Sequence, residues 1–355
     1  MAAGRRVLIT GIAGQLQGLV AQALEQRDDV AAIVGVDVRE PQHELARTEF
    51  VRADLRNPVV GRTLDTADID TVLHLSLATS SPDGRSRAQV KERNVIGAMQ
   101  LFAACQKAPQ VQRVVLKSTT AVYGSDYADP ARFGEEGGPR SPTRTGVGKD
   151  AVEVEGYLRT LGRQRKDVDV TILRFANLLG PRVDSSFHSL FTLPVVPTVL
   201  GFDPRLQFCH EDDAVGVLEH VATDETPGLY NVAGEGVLYL SQCVRLAGRV
   251  AAPVPLPLVS AVAGLIRRSG RADLPPDQLR FLQYGRVVDT TRLRERLGYV
   301  PRYTSRQAFE DFVEQRQIHG LIDREDVARW ERELGAFLRA SPQWPTATRR
   351  EQVRP

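Results

Sequence analysis

The sequence predicts a doubly wound α/β fold, a parallel sheet covered by helices on both faces, with a smaller C-terminal part. Three observations carry this. Short apolar runs rich in β-branched residues alternate with stretches of helical periodicity through the first half of the chain. Those runs lack polar alternation, as burial on both faces requires. A glycine-containing loop separates the first strand-like run from the first helical one, where such folds hold nucleotides.

In order, the strand-like runs are RRVLIT (5–10), AAIVGVDV (31–38), TEFVRADL (48–55), DTVLHLS (70–76), QRVVLKST (112–119) and DVTILRF (169–175). Helical spacing near 3.6 fills the gaps, as in LVAQALEQ and ERNVIGAMQLFAACQ, and a helix over about 147–165 precedes the last run. HEDDAVGVLEHVA (210–222) and GLYNVAG (228–234) add one more helix and strand, whereas 181–205 shows little periodicity. The nucleotide-binding part is therefore expected over 1–180, completed by about 206–234. Residues 181–205 and 235–345 form the smaller, mostly helical part, and 346–355 a disordered tail.

Composition narrows the function classes. The 355 residues are 42% hydrophobic and 25% charged with formal net charge +2, giving no general reason to expect nucleic acid or a membrane surface. Cys105, Cys209 and Cys243 lack metal-ligand spacing, so reduced thiols and no metal site are expected. The start MAAGRRVLIT runs straight into a strand and leaves no room for a signal peptide, which predicts a cytoplasmic protein. VPLPLVSAVAGLI (254–266) is too short to span a bilayer and is expected to be a buried helix ended by Arg267 and Arg268. Lysine is scarce (Lys91, Lys107, Lys117, Lys149 and Lys166), so a lysine at a motif position carries weight.

TGIAGQLQG (10–18) has the strand–loop–helix context of a phosphate-binding loop. Gly11 and Gly14 let the backbone turn and approach a pyrophosphate, and the helix start supplies N–H groups. Asp37, ending the second strand, can accept both ribose hydroxyls and repel a 2′-phosphate, favouring NAD over NADP. Asp54, in RADLRNP (52–58), is suited to the adenine amino group.

These motifs, with HLSLATS (74–80), Asn94, STTAVYG (118–124), LRFANLLGP (173–181), CHEDDA (209–214), YNVAGEG (230–236) and DTTRLRERLGYVP (289–301), run in order along nearly the whole chain. Together they resemble an extended short-chain dehydrogenase/reductase, a Rossmann-fold protein of the NAD-dependent epimerase/dehydratase family, in an atypical UDP-glucose 4-epimerase-like branch. The resemblance implies NAD contacts from Gly11, Ile12, Ala13, Gly14, Gln15, Leu16, Asp37, Val38, Asp54, Leu55, Leu75, Ser76, Leu77, Asn94, Lys117, Lys149, Phe175 and Asn177. It places a nucleotide sugar on Thr119, Asn177 and the 181–210 segment; Arg182, Arg205 and Arg245 or Arg249 are candidate phosphate partners, none singled out among them. It also implies a homodimer through the 90–106 and 147–165 helices. One departure stands in the loop: Gln17 occupies the place of the family's third glycine, and Gly18 follows it.

A second departure concerns catalysis. In the family, a tyrosine and a lysine four residues later share a helix face, and the ammonium eases the phenol's deprotonation. Matched residue by residue, Thr119 takes the serine/threonine place, Lys149 the lysine place, and Thr145 the place of the tyrosine. A phenol titrates near ~10 and an aliphatic alcohol several units higher, so Thr145 cannot inherit the role. Lys149 can still hydrogen-bond the nicotinamide ribose. Substitute acid/base groups are Tyr123, His188, and Glu135 or Glu136; Tyr127 and Tyr157 are less well placed, and His74 reads as a core histidine. Two functions remain open: an NAD-dependent oxidoreductase or epimerase-like enzyme acting by hydride transfer on a nucleotide sugar or related alcohol or ketone, or a catalytically degenerate NAD-binding sensor or scaffold.

Overall fold

The computed structural model describes residues 4–77, 87–137, 146–268 and 276–318. The first half alternates as expected: β1 (Arg5–Thr10), α1 (Gln15–Glu25), β2 (Val30–Asp37), β3 (Thr48–Arg52), α2 (Val59–Thr66), β4 (Thr71–His74), α3 (Arg87–Lys107), β5 (Arg113–Thr119), α4 (Gly146–Gln164) and β6 (Asp169–Phe175). A short helix α5 (Ser186–Phe191), then α6 (Glu211–Thr223) and β7 (Gly228–Val232) follow. The seven strands form one sheet in the order β7-β6-β5-β4-β1-β2-β3, and every pairing in it is parallel. From β1 the chain steps outward to β2 and β3, then returns to β4 on the other side. The crevice beyond the C-terminal ends of β1 and β4 is thus the topological switch point.

The apolar strands bury both faces, successive residues pointing opposite ways. Leu8, Val72, Val114 and Leu116 pack with Ala98, Leu101, Phe102, Val154 and Leu158 of α3 and α4. Val7, Ile9, Leu73, Val115 and Leu173 pack with Leu16, Val20, Val217 and Val221 of α1 and α6. A third cluster, in the C-terminal half, gathers Phe187, Phe191, Phe208, Phe309 and Phe312; Phe187 meets Phe208 edge-on at 5.3 Å between ring centroids.

A polar network crosses the first core. Arg174 of β6 donates from Nε and Nη2 to both oxygens of Glu155 of α4, at 2.9 and 2.7 Å. Ser118 of β5 donates to the same carboxylate at 2.6 Å. Arg174 Nη1 donates to the Tyr123 hydroxyl, which donates to Asn231 of β7, both at 2.8 Å. The Glu155 and Arg174 side chains are 1% and 8% exposed. Burial works against the Arg174 charge, but the bonds and field of Glu155 outweigh it and hold its pKa above the usual arginine range.

One expectation is corrected. The 254–266 run is not a buried helix: it divides into a strand end, a turn of 3₁₀ helix (Leu256–Leu258) and the helix Val259–Arg268, in which Ala263 alone is buried. Leu256, Leu258 and Leu265 are exposed. Pro255 and Pro257 remove backbone donors and confine the helix to its later residues, so the run covers the surface. Among the described residues no helix is long and apolar enough to cross a membrane. The three cysteines are buried and unpaired, and burial pushes the Cys105 thiol up to about 12.

Glu155→Ala strands the Arg174 guanidinium in the core. Urea unfolding is expected to show a loss of ~3–5 kcal/mol, whereas Arg159→Ala, which removes an exposed partner of the same carboxylate, costs less than ~1 kcal/mol.

Candidate nucleotide-binding and active site

The loop between β1 and α1 is built around two glycines. Gly11 has φ of 77°, and a Cβ there would stand 2.8 Å from the Ser76 Cβ, so the β1 and β4 ends meet only because that position is glycine. Gly14 precedes α1 in extended conformation and no side chain caps the helix, leaving its first N–H groups to the crevice. The Gln17 amide folds back toward the helix start, as a first-turn side chain does. Its Nε2 donates to the Leu75 carbonyl at 2.7 Å, and its Oε1 lies where a Cβ on Gly14 would be, 2.2 Å from that point. Close packing of loop on sheet is supplied elsewhere: Gly35 of β2 takes the Ile12 side chain against its Cα.

Beside this loop lies a cavity of about 280 Å³ lined by Gly11, Val36, Asp37, Val38, Ala53, Asp54, Leu55, Arg56, Ser76, Gln89, Glu92 and Arg93. The Asp37 carboxylate, nine-tenths buried, is aimed by backbone N–H groups of Ala13 at 3.3 Å and Arg39 at 3.2 Å. Asp54 accepts from Arg56 Nε at 3.0 Å and Nη2 at 2.7 Å. Those hydrogen bonds hold its carboxyl below the usual carboxylate range, against the smaller opposing effect of burial. Arg56 also donates to Glu92 of α3 at 2.7 Å.

Six residues expected at the cofactor thus line one cavity: Gly11, Asp37, Val38, Asp54, Leu55 and Ser76. Others expected there, Ile12, Leu16, Leu75, Leu77 and Phe175, have side chains buried in the packing beneath it. Sequence reasoning missed Arg56, Gln89, Glu92 and Arg93. The signal for Arg56 was its place two residues after Asp54; the spacing of Gln89 and Arg93, four apart on α3 just before Asn94, was the signal for the others.

The catalytic candidates are dispersed. Thr119 ends β5, and its hydroxyl caps the turn Thr120–Tyr123 by accepting the Ala121 N–H at 3.2 Å. Lys117 lies on the same strand face two residues earlier, and burial pulls its ammonium down to about 8. Asn94 is buried and donates to Asp150 of α4 at 3.2 Å. Arg87 grips that carboxylate at 2.7 and 2.8 Å, which fixes the start of α4 against α3. Lys149, one residue before Asp150, is 46% exposed with its ammonium 4.0 Å from Glu153. Thr145 lies outside the described residues.

The substitute acid/base groups fare differently. Tyr123 is 1% exposed, and both roles of its hydroxyl are taken by Arg174 and Asn231. Burial raises its pKa, so its position speaks against proton transfer to a substrate. His188 of α5 faces the Phe312 ring at 6.1 Å, and burial lowers its pKa. Glu135 accepts the Asn231 N–H at 3.0 Å and Glu136 pairs with Arg292. His74 is a core histidine bonded to Thr10 at 3.0 Å, and burial brings it down to about 4. Arg182 is occupied by Glu211 and Asp212. Asn177 opens a short strand paired with Phe208–His210. Arg205 is exposed, and no ion pair reaches it among the described residues.

Residues 7–233 match the NAD dependent epimerase/dehydratase family. An uncharacterized protein of Mycobacterium tuberculosis is 44% identical over 329 residues, 92% of this chain and 88% of the relative. Among solved structures, MoeE5 in complex with UDP-glucuronic acid and NAD superposes with a TM-score of 0.68 at 21% identity, covering 88% of this chain and 99% of that one. UDP-glucose 4-epimerase of Thermotoga maritima with UDP-glucose does so with 0.67 at 19%, covering 88% and 98%.

Two substitutions test the loop and its carboxylate. Asp37→Ala is expected to weaken NAD by about 1.5–3 kcal/mol in a binding titration and to narrow the preference over NADP. Gln17→Gly, which clears the space beside Gly14, is expected to tighten NAD several-fold; weaker binding would show that the amide contacts the cofactor instead.

Proposed function

The chain belongs to the NAD dependent epimerase/dehydratase family, and we propose that it is an enzyme acting on a nucleotide sugar, or a related alcohol or ketone, with proton transfer that does not use the family's tyrosine. The observation that carries this is the aimed Asp37 carboxylate beside Gly11 and the uncapped start of α1, in one cavity at the switch point. The donor set fits NAD: a carboxylate for the ribose hydroxyls, free N–H groups for the pyrophosphate and an open adenosine cavity. When bound, NAD supplies the hydride acceptor and donor.

The chain's own residues would do the rest. Thr119, at the end of β5, orients the reacting hydroxyl. Lys149 bonds the nicotinamide ribose, giving up its loose contact with Glu153. Asn177, after β6, meets the diphosphate of the substrate, and residues of 181–205 and of the described C-terminal part enclose the sugar. Water or a group other than a phenol moves the proton, because Thr145 stands in the tyrosine's place. The solved relatives found with UDP-glucuronic acid or UDP-glucose support the substrate class. A cytoplasmic homodimer through α3 and α4 is part of the same proposal; Ile96 and Val152 are exposed on those helices.

The test is to add UDP-sugars to the NAD-loaded protein, following reduced-nicotinamide absorbance and sugar interconversion by NMR. Slow turnover is expected, and Thr145→Tyr is expected to raise kcat with little change in KM. A wild-type protein that binds NAD and UDP-sugar yet never reduces the cofactor would favour a sensor or scaffold.

A further inference from the structure

Several arginines in this chain are held by a carboxylate. Arg27, Arg56, Arg87, Arg165, Arg174 and Arg292 each meet one at 2.7 Å or less. Arg286 does not. Its Nε donates to the Gly124 carbonyl at 2.9 Å, and its Nη2 to the Ser125 hydroxyl at 3.4 Å. The guanidinium lies over the Phe281 ring, 5.0 Å from the centroid. Its remaining N–H donors find no acceptor among the described residues.

The side chain keeps some solvent contact but is enclosed by protein on most sides, and that burial pulls its pKa down to about 10. Asp129 and Asp277 act on its charge through space, yet neither pairs with it. A guanidinium held among neutral partners in this way is a cation lacking its counter-charge.

Its placement is fixed from both sides. The Arg286 N–H donates to the Arg205 carbonyl at 3.0 Å. Gly285, with φ of 71°, packs so closely on Arg205 that a Cβ would come within 2.3 Å of that carbonyl. On the other side, Gly124 follows directly on the turn that Thr119 caps, and its φ of 73° belongs to that turn. Arg286 thus stands beside the β5 turn, where the reacting sugar would lie, and not at the end of β6, where Asn177 would meet the diphosphate.

We infer that Arg286 is a specificity residue that receives a carboxylate on the sugar, so that the preferred substrate is the nucleotide derivative of an acidic sugar. The inference rests on the nucleotide-sugar reading above. A planar guanidinium with a fork of free N–H groups binds a carboxylate bidentately, and the stacked phenyl ring keeps that fork oriented. Neutral sugars would leave the cation as it is.

The experiment is a calorimetric titration of the NAD-loaded full chain with UDP, UDP-glucose and UDP-glucuronic acid, using wild type, Arg286→Met and Arg286→Lys. Wild type is expected to bind UDP-glucuronic acid about 10- to 100-fold more tightly than UDP-glucose, the worth of a charge-assisted hydrogen bond. Arg286→Met should abolish that preference while leaving UDP and NAD affinity intact, and Arg286→Lys should retain part of it. Unchanged NAD affinity shows that a variant is folded. Equal wild-type affinities for the two sugars would overturn the inference and leave the nucleotide-sugar reading standing. Equal loss of UDP in Arg286→Met would overturn it too, by making Arg286 a diphosphate ligand. Failure of all three compounds to bind wild type would overturn both.

Discussion

The buried pairing of Glu155 with Arg174 is the constraint on which the site's geometry depends. α4 must lie at one height and rotation against β5 and β6 for that carboxylate to accept both guanidinium bonds and the Ser118 hydroxyl. Ser118 adjoins Thr119, and Lys149 lies on the same helix as Glu155, so one ion pair sets the relation between two residues expected at the reacting end. Tyr123 extends the network to Asn231, tying β7 and the turn after β5 to the same centre. A buried pair of this kind contributes less to net stability than its distances suggest, because desolvation offsets the attraction. Its effect here is registry.

Above that core, the two halves of the site have different histories in the chemistry. The half expected to take the cofactor has glycine where β1 and β4 touch, a carboxylate aimed by two backbone N–H groups, and an open helix start. Gln17, in the place of the family's third loop glycine, folds its amide onto the Leu75 carbonyl, while Ile12 packs closely on Gly35 of β2. The half proposed for proton transfer has Thr119 and Lys149 at the places the resemblance implies, with threonine at position 145. This is the pattern that the proposed function, with its altered acid/base chemistry, would leave.

Most of the sheet was legible in the sequence because its strands are buried on both faces, which writes burial directly into unbroken apolar runs such as RRVLIT and DVTILRF. Asp37 was legible for a related reason, since a strand end fixes its place to within a residue. What could not be read depends on partners distant in the chain. Arg56, which grips Asp54 locally, also bonds Glu92 of the distant α3, and Asp150 is silent until Arg87 and Asn94 are brought to it. Tyr123 looked like a spare phenol because nothing local announces that Arg174 and Asn231, distant in the chain, bond its hydroxyl. The apolar run 254–266 misled for the opposite reason: its hydrophobicity is local, and two prolines turn it along the surface. Arg286 was hidden among many arginines, and what distinguishes it is its enclosure by the neutral partners Gly124, Ser125 and Phe281.

A crystal structure with NAD and a UDP-sugar bound tests the central claim most directly. The account predicts the adenosine ribose on Asp37, the sugar hydroxyl held by Thr119, and no tyrosine hydroxyl within about 3 Å of that hydroxyl. A tyrosine found at that distance, or a dinucleotide bound away from the Asp37 cavity, would contradict it.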